Sequence, residues 1–316
     1  MPGYRREDEG PRTKQHGWEA ASVLCGRRAM VKKVWCRELF GKFLQVRYEP
    51  TQARYFSEPK CQDTVRLWYL AYRYLIFCLW LLIILCSVFE IGSVNPLGLL
   101  EKWPIYLTNW DLILGLVQSF LACVLVTRRS RYQEQPGFDA SSLYYGKLEK
   151  FYWFMYVVTS SLALGVTITY WALIHDPAIH HVDVLNILIH VANSLLMIVD
   201  LCVTSVPFEF RCFWWCPFFV NFYLIFSIVY YLAGGLDKNG QHRIYNILDW
   251  EKPIMTLLIC AGGLTFLVIT HCLLCILARL RNHVYERRRK PFVSDAKNVK
   301  NMGKEPTYTR KNESCV

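Results

Sequence analysis

Long apolar runs alternate with short charged stretches along most of this chain. Six of the runs could each cross a bilayer as helix, which takes about 20 largely apolar residues. They cover approximately residues 70–89, 105–126, 151–174, 182–206, 213–233 and 254–277. Barrel strands would instead show about ten residues of alternating polarity, and no stretch here alternates in that way. The pattern predicts an all-α integral membrane protein, a bundle of six transmembrane helices. It divides the chain into an N-terminal tail over 1–66, a membrane domain over 67–280 and a basic C-terminal tail over 281–316.

The fourth run departs from uniform hydrophobicity. Asp183, Asn186, His190, Asn193, Met197, Asp200 and Thr204 follow one another at spacings of three and four. At about 100° per residue they fall within roughly one third of the helix circumference. Leu196 lies about 40° beyond the edge of this seam and is expected to face lipid. Polar groups in hydrocarbon are costly, so the seam must face protein or a water-filled cavity.

Charge adds orientation. The chain carries 36 Lys and Arg against 25 Asp and Glu, and the basic residues cluster. They crowd the N-terminal tail, the second loop (Arg128, Arg129, Arg131, Lys147, Lys150) and the C-terminal tail (Arg279, Arg281, Arg287, Arg288). The first loop holds only Lys102, the third has none, and the three of the fifth are offset by Asp237, Asp249 and Glu251. By the positive-inside rule, both termini and loops two and four are expected to be cytoplasmic. The basic balance therefore reads as topology and attraction to anionic lipid, not as nucleic-acid binding. No apolar core near Met1 marks a cleavable signal peptide, so the first helix is expected to act as an uncleaved anchor. The composition leaves the plasma membrane and the endomembranes equally open.

The 13 cysteines avoid the three outer loops, which argues for reduced thiols. Cys212 and Cys216, at the inner boundary, suit interfacial packing or palmitoylation. His180-His181 lacks the further ligands that a zinc site needs, and nucleotide-binding loops and serine-hydrolase elbows are absent. No metal or other cofactor is expected. The terminal Ser314-Cys315-Val316 has the form of a PDZ-domain ligand.

The second run opens with Thr108 and Asp111, three apart and so on one helix face. A membrane threonine becomes a nucleophile when a base reaches it. His190, seven to eight residues into the fourth run, belongs to the same outer half of the membrane. Two readings of the seam stand side by side: a site, or hydrogen-bonded glue between helices.

The run from Asn186 through His190 and Asn193 to Asp200, then Pro207, Tyr230-Tyr-Leu-Ala-Gly234-Gly235 and Ile244-Tyr-Asn-Ile-Leu-Asp249-Trp-Glu-Lys-Pro253, resembles the rolling stone proteins over residues 65–280. These are multi-pass membrane proteins named for a fly protein implicated in myoblast fusion. A more distant resemblance is to the androgen-induced and androgen-dependent membrane hydrolases, which split fatty acid esters of hydroxy fatty acids with an intramembrane threonine and histidine. Leu107-Thr108-Asn-Trp-Asp111-Leu112 matches their threonine motif, while Asn186 and Asp200 stand where they place an asparagine and an acid around the histidine, here His190. Those enzymes carry another histidine three positions earlier, where this chain has Ile187. The resemblance implies a fatty acid ester as substrate, Thr108 and His190 as catalytic residues, and Asp111, Asn186, Asn193 and Asp200 as support. A non-catalytic role in cell adhesion or fusion is the alternative.

Overall fold

The computed structural model describes residues 52–96, 98–175 and 182–302, the last stretch with side chains as far as Arg288. Six helices in it are long and apolar enough to span a membrane, and no strand occurs among the described residues. We number them α1 (Leu67–Val88), α2 (Leu107–Gln133), α3 (Lys147–Ile174), α4 (Val184–Val203), α5 (Trp215–Leu232) and α6 (Pro253–Met302). Helix is the economical solution for such segments, because it satisfies every backbone polar group internally where no water is at hand. Side chains such as Leu75, Leu82, Phe120, Leu195, Ile225 and Ile269 stand exposed around the bundle, as a lipid-facing belt requires.

Two of the helices change winding part-way. The last turn of α3, Tyr170–Ile174, is π-helical, and so is Leu188–Ala192 in the middle of α4. Such turns hold one residue more than an α-turn and concentrate at functional sites.

The core shows why the bundle is tight. Phe56, Trp80, Leu112, Tyr152, Tyr156 and Leu201 belong to one continuous buried cluster. Trp80 of α1 lies on Gly115 of α2, where an added Cβ would come within 2.3 Å of the indole ring. Helix α5 ends in a Schellman turn: Gly234 takes a φ of 74°, and the Gly234 and Gly235 N–H groups return to the Tyr231 and Tyr230 carbonyls. The Gly-Gly pair is thus a built helix stop.

Both tail boundaries differ from expectation. The last residues of the N-terminal tail pack onto the bundle. A 3-10 helix at Ala53–Phe56 seats Phe56 against Tyr145, Tyr152 and Trp153, and Lys60 N–H bonds the Val203 carbonyl. Glu58 is buried and accepts from both Arg129 and Arg54. The scattered aromatics there had no period to reveal this, because they dock singly and not along a helix face. At the other end, α6 runs on past Leu277, since its Arg, Leu and Glu residues are good helix formers. Arg281, placed in the tail by polarity, is buried and donates to the carbonyls of Leu201, Thr204 and Val206. It closes the end of α4, where helix carbonyls otherwise lack partners. Leu196 is half-buried against the main core and not lipid-facing; Leu195 is the exposed neighbour.

These contacts gather the ends of α2, α4 and α6 with residues 53–66 at one, basic, end of the bundle. His180-His181 and Ser314-Cys315-Val316 lie outside the described residues.

Candidate functional site

The opposite end of the bundle is hollow. A cavity of about 550 Å³, the size class of small-molecule sites, reaches inward between α2, α3, α4, α5 and α6. Thr108 and His190 both line it.

Thr108 occupies the first turn of α2, a position fixed from outside the helix. Tyr245, from the loop before α6, accepts the Leu107 N–H at 2.9 Å, and Tyr223 donates to the Ile105 carbonyl at 2.8 Å. Burial pushes the Tyr245 and Tyr106 phenols up to about 12, so both stay neutral hydrogen-bonding groups at physiological pH. Beside Thr108, Asn109 donates to the Trp103 carbonyl and accepts from Ser87, whose oxygen in turn accepts from the Trp103 indole. The Thr108 hydroxyl makes no hydrogen bond among the described residues and is 8% exposed, on the cavity side.

His190 sits in the π-turn of α4 and is 6% exposed. Its ring stacks on Tyr170, the first residue of the π-turn in α3, with centroids 3.5 Å apart and planes 9° from parallel. Tyr170 is held in turn by its hydroxyl, which donates to Asn186 Oδ1 at 3.0 Å. The two π-turns therefore meet at this stacked pair. His190 Nδ1 is buried and has no hydrogen-bond partner. No hydrogen bond joins it to Thr108.

The remaining seam residues fall into two groups. Asp183 caps α4, accepting the Asn186 N–H at 2.7 Å, and also takes the Val94 N–H. Asp111 lies fully buried behind the cavity wall. One of its oxygens accepts from Asn193 Nδ2 at 3.2 Å, the other has no partner, and Asn193 Oδ1 takes a bond from Thr167. This chain ties α2, α4 and α3 together one turn below His190.

Asp200 stands apart, about 15 Å further along α4 at 1.5 Å per residue. Both its oxygens accept from Arg73 Nη1, at 2.9 and 3.0 Å, and Oδ1 also accepts from Tyr72. Arg73 is in addition bonded to Tyr69 and Tyr152. Asp200 therefore belongs to a charge pair in the basic half of the bundle and does not reach His190. Arg73 was the partner to look for, as the single charged residue of α1. Tyr170 carried no such signal, because its meeting with His190 depends on two changes of winding.

No group of His, Cys, Asp and Glu suited to a metal ion occurs among the described residues. Cys212 and Cys216 are both buried, as packing residues would be.

With this geometry in hand, the chain can be set beside known proteins. The sequence profile described as protein rolling stone matches residues 30–294. The chain belongs to the rolling stone family. The match takes in the first five helices, α6 as far as residue 294, the cavity and the packed segment before α1. Protein rolling stone of Drosophila melanogaster is 30% identical over 210 residues, 61% of this chain and 70% of the relative's length. No solved structure matches. The integral membrane character read from the six helices and the family agree.

Proposed function

We propose that this rolling stone family member is an intramembrane hydrolase of fatty acid esters, with Thr108 as nucleophile and His190 as base. One observation carries the reading: Thr108 and His190, 82 residues apart in sequence and on different helices, line the same cavity. Thr108 Oγ adds to the ester carbonyl while the His190 imidazole takes the hydroxyl proton. The bond to the alcohol oxygen then breaks, and His190 returns the proton to that oxygen. Water repeats the sequence on the acyl-threonine, releases the fatty acid and restores Thr108.

Orientation of the base falls to Tyr170, through ring stacking, and to Asn186, which anchors Tyr170. Asp111 acts through Asn193 by fixing α4 against α2. Asp200 serves the bundle and not the reaction. In the membrane, the basic end faces the cytoplasm, so the cavity opens to the exterior or lumen.

The test is labelling of the purified full chain with a lipophilic fluorophosphonate, together with assay against a panel of fatty acid esters. Labelling and cleavage, both lost in Thr108→Ala, are the expected result. Cleavage that persists in Thr108→Ala overturns the mechanism, and a wild type inert toward every ester leaves the non-catalytic role in adhesion or fusion.

A further inference from the structure

The cavity is not uniform. Toward the basic half it extends as an arm lined by Leu162, Val166, Val220, Leu224, Leu264 and Leu267, all apolar. Its mouth, by contrast, carries Glu90, Asn95, Asp237, Lys238 and Asn239. Thr108, one residue inside α2, lies near the mouth. A molecule filling this space must be polar at one end and a hydrocarbon at the other.

Helix α6 shows how such a molecule gets in. Ile259, Gly263 and Phe266 share one of its faces and line the cavity. Gly263 is exposed, the adjoining Gly262 is exposed without lining the cavity, and a Cβ built on either would meet no heavy atom within 4 Å, so the cavity's edge passes between them. A residue that borders both the cavity and the outside marks an opening. At ten residues past Pro253, about 15 Å along the helix, that opening sits near the middle of a hydrocarbon core about 30 Å thick. Four residues further on, within the arm, Gly165 of α3 packs so tightly on Leu267 that a Cβ would lie 2.7 Å from its Cδ2. Two glycines thus do opposite things: one leaves open space beside α6, the other lets α3 and α6 close up. Above them His190 presents a buried nitrogen without a partner.

We infer that lipid esters enter sideways from the bilayer through the gap at Gly263, and that the arm between α3, α5 and α6 holds their acyl chain. The inference rests on the proposed hydrolysis only for the fate of the ester; the binding stands on the cavity itself. Gly262 supplies an internal control. It is equally open and exposed, one position away on the same helix, yet does not line the cavity.

The experiment uses the full chain in phosphatidylcholine vesicles and a palmitoyl ester with a diazirine at the end of its chain. Photolysis should label the α6 peptide around Leu264 and Leu267, in the wild type and in Thr108→Ala alike. In Gly263→Trp this labelling should fall by about tenfold, as a tenfold loss of affinity would give, whereas Gly262→Trp should label like the wild type. Gly263→Leu, a smaller plug, takes the place of the tryptophan variant if the latter does not fold. Equal labelling of the Gly263 and Gly262 variants, or labelling confined to the loop over 237–248, overturns the inference. Labelled α6 without ester cleavage in the wild type defeats the hydrolysis and leaves the entry route standing. Cleavage with unlabelled α6 does the reverse.

Discussion

At the scale of single residues, the two halves of the α4 seam call for different experiments. In the site half, Thr108 and His190 should behave as a unit. Under the hydrolase reading, Thr108→Ala and His190→Ala each lower ester cleavage by about 10²–10⁴-fold, the usual contribution of a nucleophile's base, and the double variant is no slower than the worse single one. A stepwise fall in the double variant would mean that the residues act separately. Tyr170→Phe keeps the stacked ring but loses the bond to Asn186, so it should cost less activity than Tyr170→Ala. In the structural half, Arg73→Leu and Asp200→Leu each strand a buried charge, at about 3–5 kcal/mol. The double replacement should be milder than the sum of the singles, since it leaves no charge unpaired. Leu195→Ala, on the lipid face, is the comparison that should barely move the melting temperature in detergent. Thr108 and His190 were legible in the sequence because depth in a membrane helix follows from counting residues. Asp200 was grouped with the site by the same signal that made the seam visible: helical angle gathers residues on one face but says nothing of what each meets across it.

Between elements, the starts of the helices were readable to within a few residues, since apolar length is a strong signal. Their winding and their contacts were not. The π-turns at Tyr170–Ile174 and Leu188–Ala192 arise where two helices accommodate each other, a tertiary effect without local code. Residues 53–66 escaped notice because a few docked side chains, Phe56 and Glu58 above all, hold that segment without any period. The close crossing of α1 and α2 gives a sharp test. Gly115→Ala pushes a methyl into the Trp80 ring and should destabilise by about 1–3 kcal/mol, the usual cost of overpacking. That loss should shrink when Trp80→Leu is introduced alongside, because the clashing ring is then gone. Full additivity of the two, measured by thermal unfolding in detergent, would show that the helices part instead of straining. Gly263→Ala should have the opposite sign: nothing stands in the way of its Cβ, and helix propensity favours alanine by about 1 kcal/mol.

For the whole molecule, the two ends of the bundle divide the work. The basic end is tied by ion pairs and by Arg281, while the hollow end is capped by loops that are themselves linked, as by the Glu90–Lys238 ion pair. The tied end thus lies beneath the cavity and the loops lie over its mouth. Which end faces the cytoplasm follows from the Lys and Arg imbalance between alternate loops, not from the fold, since the same bundle could be inserted either way up. The chain offers two positions that decide it. Gln241→Thr completes a glycosylation sequon beginning at Asn239, in the loop over the cavity, whereas Asn312-Glu-Ser314 is a natural sequon in the basic tail. Expressed in cells, the Gln241→Thr protein should gain one glycan, and conversion of Asn312→Gln should change nothing. A glycan lost with Asn312→Gln would invert the topology. It would turn the mouth of the cavity, with Thr108 and His190 inside it, toward the cytoplasm, and any lipid ester that the protein hydrolyses would then release its polar fragment there.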